Sequence, residues 1–142
     1  MKLRVLLLLI PLCWHVPAAF GEEMVAIVNP SVSQTSITRN FARALFGMRA
    51  QRWPGDGGDV TVFVLPDQHV LHAAFAKNVL DMFPQQLRNA WDRLVYSGTG
   101  RAPVEVSSEE EMLEGVAATP GAVGYVSKGK VNAKRVRTLD VL

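Results

Sequence analysis

The run Val60–Leu65 constrains the fold more than any other part of the chain. Five of its six residues are apolar and three are valine, with no polar residue at alternate positions except Thr61. A strand of this kind has no face to turn to water, so it belongs inside a sheet covered on both sides, the setting typical of parallel sheets. Pro66-Asp67 follows at once. Asp67 is a suitable N-cap, and Leu71, Phe75 and Val79 then recur every four residues, with Ala74 and Leu80 beside them. That stripe predicts a helix packed on the strand.

The same alternation runs through the rest of the chain. Met24–Val28 is an apolar strand that ends at Asn29-Pro30. Thr38 is placed to cap a helix through Phe46, with Gly47 as its stop. The stretch Trp53-Pro54-Gly55-Asp56-Gly57-Gly58 is a tight loop. Pro84 suits the first turn of a further helix, whose apolar face is Leu87, Trp91, Leu94 and Val95. Val104–Val106 is a short strand candidate. Ser107 or Ser108 caps a helix to about Ala118, and Glu109, Glu110 and Glu111 favour its dipole. Thr119-Pro120-Gly121 turns into the strand Ala122–Val126, and Val136–Leu142 is the last strand candidate. Strands alternating with helices predict an α/β domain in three layers, a mostly parallel sheet with flanking helices.

Residues 1–21 read differently. Lys2 and Arg4 precede an apolar run from Val5 to Trp14, and Ala18, Ala19, Phe20 and Gly21 follow. This order is that of a cleaved secretory signal, with cleavage expected before Glu22. The run is too short, and too interrupted by Pro11, for the roughly 20 apolar residues of a membrane span. The expected products are a signal peptide, 1–21, and one mature domain, 22–142, in the periplasm. The only cysteine, Cys13, lies in the signal. The mature domain therefore has no disulfide, thiolate metal site or thiol nucleophile. Lys2 and Arg4 leave with the signal as well, so the 15 basic and 13 acidic residues of the whole chain become a balance of 13 to 13. Neutrality, and the lack of a basic stripe interleaved with aromatics, argue against a nucleic-acid partner.

Catalytic signatures are missing from the sequence. There is no Gly-x-Ser-x-Gly elbow and no phosphate-cradling Gly-Lys loop. His69 and His72 are three apart near Asp67, which could form the edge of a metal site, but no fourth ligand is evident. We therefore expect no enzyme, metal or cofactor.

Four features in order carry a resemblance. They are Ala44-Leu45-Phe46-Gly47 followed by Trp53 and a glycine turn, the apolar strand entering a helix at Pro66–His69 with Phe75 inside it, the Trp91 helix, and Pro120-Gly121-Ala122-Val123-Gly124-Tyr125-Val126. Together they resemble the second lobe of phosphate-type periplasmic solute-binding proteins, the receptors of phosphate import transporters. The chain is most similar to short single-lobe proteins classed with them. In such receptors the loop after the strand matching Val60–Leu65 carries an arginine and then Ser-Gly-Thr at a helix start, where free N–H groups hold the oxyanion. Here those places hold Leu65 and His69-Val70-Leu71, and Asp67 brings a negative charge. Ser97-Gly98-Thr99 repeats the motif's letters but follows a helix; it reads as an ordinary loop, with an anion nest completed by Gly100 and Arg101 as the alternative.

The resemblance implies an exported, non-enzymatic module for phosphate or another small anion or polar solute, serving transport or sensing. Gln68 and His69 are the ligand-facing candidates. The alternative is a structural or interaction protein that keeps the lobe and has lost solute binding. Since a lone lobe exposes half its site to water, self-association or a membrane transport or sensor partner is expected to complete it.

Overall fold

The computed structural model describes residues 22–55 and 58–142. The segment read as an export signal lies outside them, as do Asp56 and Gly57 of the glycine loop. The strands are β1 (Met24–Val28), β2 (Ser36–Ile37), β3 (Thr61–Val64), β4 (Val104–Glu105), β5 (Ala122–Ser127) and β6 (Arg137–Val141). The helices are α1 (Arg39–Phe46), α2 (Val70–Asn78), α3 (Pro84–Tyr96) and α4 (Glu109–Ala118), with a 3-10 turn at Lys128–Lys130. One six-stranded sheet runs β2-β6-β1-β5-β3-β4.

Neighbouring residues of β5 show the layers. All six of its residues are buried. A Cβ on Gly124 would lie 2.5 Å from Met112 Sδ and 3.0 Å from Val116 Cγ2, both on α4. Tyr125 points the other way, into Phe46, Phe75 and His72. Helix α4 therefore covers one face of the sheet, while α1, α2 and α3 cover the opposite face. Trp91 joins α3 to α1 by donating its indole N–H to the Phe46 carbonyl at 2.7 Å. The expected three layers are present.

Strand direction is more mixed than the alternation suggests. Three pairings are parallel, β3 with β5, β3 with β4, and β2 with β6. β1 runs antiparallel to both β5 and β6. At the end of β1 the Asn29 side chain donates to the Val116 and Ala117 carbonyls at 2.9 Å each. These contacts hold the exit of β1 beside the end of α4 and the entrance of β5. Burial on both faces was legible in the sequence, but burial carries no information on direction.

Capping follows the sequence at three helices and departs from it at one. Thr38 accepts from the Phe41 N–H, Ser108 accepts from the Glu111 N–H, and Pro84 opens α3. The cap of α2, expected at Asp67, is His69, whose Nδ1 accepts from the Leu71 N–H at 3.2 Å. A turn closed by the His69 N–H on the Pro66 carbonyl delays the helix. The stripe of α3 is narrower than expected, since Leu87 and Trp91 are buried but Val95 is 46% exposed.

Candidate functional site

The loop from Leu65 to His69 is where β3 hands over to α2, and the Leu65 N–H, the Asp67 carboxylate and His69 Nδ1 are each tied down within the chain. The Leu65 N–H donates to the Tyr125 hydroxyl at 2.8 Å. That hydroxyl lies 2.5 Å from His72 Nδ1. The phenol oxygen accepts from the Leu65 N–H, and the phenol proton has an acceptor in Nδ1 when His72 carries its own proton on Nε2. Both side chains are fully buried. The Tyr125 hydroxyl is thus buried along with its ring. The ring enters from the sheet, between α2 and β3, so the oxygen ends inside the layer. His72, which with His69 could have formed the edge of a metal site, is a core residue for the same reason.

Asp67 is drawn away from the helix start by α3. Arg88 donates to it through Nε at 2.7 Å and through a terminal nitrogen at 3.0 Å. The guanidinium carbon also lies 5.0 Å from the centre of the Trp91 ring, a cation–π arrangement. The bidentate bond to the Asp67 carboxylate raises the Arg88 pKa further. A fork-to-fork pair of this kind is the strong form of the contact. The arginine and the oxyanion of this loop are thus both side chains of the protein itself.

Of the two residues proposed as ligand-facing, Gln68 lies at a cavity. It lines a shallow groove with Asp67, Lys77, Phe83 and Pro84. His69 is half-buried, its Nδ1 spent on the cap. Among the described residues no group of three metal-ligating side chains occurs. Nor is any helix among them long and apolar enough to cross a membrane. Sequence reasoning missed Arg88 as a member of this loop. The signal available was its place one turn before Trp91, on a helix that must pack beside the strand end. Ser97-Gly98-Thr99 is the ordinary loop that was expected. The Thr99 and Gly100 N–H groups close onto the Leu94 carbonyl, and Ser97 Oγ lies 2.7 Å from Thr99 Oγ1.

Burial pushes the His72 pKa below the ordinary 6.5; Asp67 pulls it partly back, while Arg88 and His69 add to the depression. The unfolded chain therefore takes up this proton first as pH falls. The His72 contribution to stability is complete above pH 6.5 and is lost as the pH drops through the lower folded value. Urea unfolding at stepped pH should show this acid limb, and His72→Leu should flatten it.

No family model matches the chain, and no curated protein matches it by sequence. Solved structures do match. An ABC-type phosphate transport receptor from Vibrio cholerae superposes with a TM-score of 0.65 at 16% identity, over 84% of this chain and 46% of the receptor. PstS from Borrelia burgdorferi gives 0.63 at 18% identity, over 84% and 47%. The fold is that of one lobe of a periplasmic binding protein. The chain spans just under half the length of these structures. At such identities the likeness speaks for the fold, and the lobe's function must be argued from its own residues.

Proposed function

We propose that this lobe is an exported, non-enzymatic binding module of the periplasm, with residues 1–21 as its signal and 22–142 as the mature domain. It serves transport or sensing by recognising a partner molecule, and does not capture free phosphate at the loop after β3. One observation carries this reading: the Asp67 carboxylate already occupies the Arg88 fork. A phosphate arriving there would have to displace a charge-assisted bidentate pair and then face the released carboxylate. The N–H groups of Leu65 and Leu71, which could greet an anion, are held by Tyr125 and His69. The module thus keeps the receptor lobe while its anion loop is closed by its own side chains.

A second reading keeps a solute. Gln68 is exposed in its groove, and Lys77 stands across from it as a cation. A small anion or polar solute held there would need a further wall, from a second copy or a membrane partner.

Calorimetry separates the two readings. With the mature protein, titration with phosphate up to roughly 1 mM, where a matching Kd is worth only about 4 kcal/mol, is expected to show no saturable binding heat. Submicromolar phosphate binding would overturn the proposal. A solute that binds and is lost in Gln68→Ala would establish the second reading. Cell fractionation tests export in the same preparation: mature protein beginning at Glu22 in the periplasmic fraction is expected, and uncleaved chain retained on membranes would refute it.

A further inference from the structure

A second groove, of about 520 Å3, lies between the end of α1 and the outer face of α3. Its polar lining consists of Arg43, Arg49, Arg93, Gln86 and Asn89, without an acidic residue. Hydrogen bonds already engage both carboxamide oxygens there. Gln86 Oε1 accepts from the Phe83 N–H at 2.8 Å, and Asn89 Oδ1 accepts from Gln85 at 3.0 Å. Both carboxamide NH2 groups have no partner among the described residues. Arg43 is held in place by the Leu80 carbonyl at 2.7 Å and by Asp81. Among the described residues Arg49 makes no ion pair, and Arg93 bonds only to the Asn89 carbonyl of its own helix, at 3.4 Å.

Local backbone shape supports the same place. Two non-glycine residues have positive φ among the described residues, Met48 at 62° and Asp81 at 53°. Each immediately precedes a lining residue, Arg49 and Met82. Such conformations cost of order 1 kcal/mol or more and persist where packing imposes them. Gly47 adds to this, since a Cβ there would meet the Arg43 carbonyl oxygen at 2.7 Å and Arg49 Nε at 4.0 Å. The chain leaves α1 along a path that sets Arg49 beside Arg43.

The donors form a line. Gln86, Asn89 and Arg93 recur at steps of three and four on one face of α3, a span of roughly 10 Å at 1.5 Å per residue. A single phosphate or carboxylate meets only part of that length. An extended peptide advances about 3.3 Å per residue, so three of its residues cover it. Met82 and Leu94 supply apolar surface between the polar groups.

We propose that this groove binds an extended acidic segment of a partner protein, with carboxylates on Arg49 and Arg93 and an apolar side chain against Met82 and Leu94. The site is separate from the loop after β3 and does not depend on whether that loop binds a solute.

The test uses the mature chain and a dye-labelled peptide of alternating glutamate and leucine, followed by fluorescence anisotropy. Saturable binding that weakens with salt is expected, and Arg49→Gln with Arg93→Gln should weaken it about tenfold or more, or 1.4 kcal/mol. Arg135→Gln, an exposed cation outside the groove, should leave it unchanged. Circular dichroism melts confirm that the variants are folded, since both replaced side chains are exposed. Unchanged affinity in the double variant would overturn the proposal, as would equal binding of a lysine–leucine peptide. Displacement by inorganic phosphate at matched concentration would assign the groove to a small ion. Arginine-dependent binding to anionic vesicles in place of the peptide would assign it to a membrane, and arginine-dependent self-association on size exclusion would assign it to a second copy. Each of those three results also refutes the peptide site.

Discussion

Replacing Tyr125 by phenylalanine is expected to destabilise the domain by about 2–6 kcal/mol, although only one oxygen is removed. The ring itself would stay. It stacks on Phe75 with centroids 4.1 Å apart and 7° between planes, a contact phenylalanine can keep. What goes is the shared partner of two buried groups, the Leu65 N–H and His72 Nδ1. Each becomes an orphan inside the layer, at about 1–3 kcal/mol apiece. Urea unfolding measures the loss. A second substitution separates this cause from simple repacking. His72→Leu in the Tyr125→Phe background removes one of the two orphans, together with the His72 Nε2 atom that lacks a partner already. The double variant should therefore be more stable than Tyr125→Phe alone. If the two effects simply add, the hydroxyl bridge is not what holds these elements together. Against a total stability of about 5–15 kcal/mol for such a domain, the single change is a large fraction.

Gly121→Ala should be comparably severe, by about 3 kcal/mol or more, because strain and collision act together. Gly121 has φ +76°, in the left-handed region, and a Cβ there would stand 2.1 Å from the Asp59 carbonyl oxygen. That oxygen is backbone and cannot swing aside. The glycine is also a junction. Its carbonyl accepts from Trp53 Nε1 at 2.9 Å and from the Thr61 N–H, while its own N–H donates to Ser31 Oγ at 2.9 Å. Pushing it outward would disturb the Trp53 loop, the start of β3 and the turn after β1 together. Gly129→Ala is the control, since its Cβ would meet nothing within 4 Å. A thermal melt should show a large drop for Gly121→Ala and almost none for Gly129→Ala. Equal shifts would mean that the glycine loop yields more easily than its contacts imply.

The order of elements was legible in the sequence because burial and capping write themselves into it. Val60–Leu65 reads as a doubly covered strand, and its core Val62, Phe63 and Val64 is buried on both faces. Thr38, Ser108 and Pro84 sit where local chemistry alone requires them. Direction and side-chain choice were less legible. Asn29 reads as a turn residue, and only the folded chain shows that it clamps the end of α4. Asp67 looks like a helix cap because nothing nearby in sequence competes for it. The competitor, Arg88, is 21 residues away and arrives with α3. Tyr125 looks like a residue with one wet end, and the closing layer of α2 leaves it none. The closed state of the candidate loop is therefore written in contacts between elements, beyond the reach of any local window. The departures from the receptor motif at Leu65 and at His69-Val70-Leu71 were visible. The pair that fills the gap was not.

The sheet ends on both sides in strands of only two residues, β2 and β4. A short edge gives a neighbouring chain almost no ladder to extend, which protects against edge-to-edge aggregation. It also removes one common mode of recognition, in which a guest peptide joins the sheet as an extra strand and is held by backbone bonds that ignore its side chains. Side chains on the helices and the loops beside them, such as Arg49 and Arg93, offer another mode, in which a guest is selected by its own charges and shape.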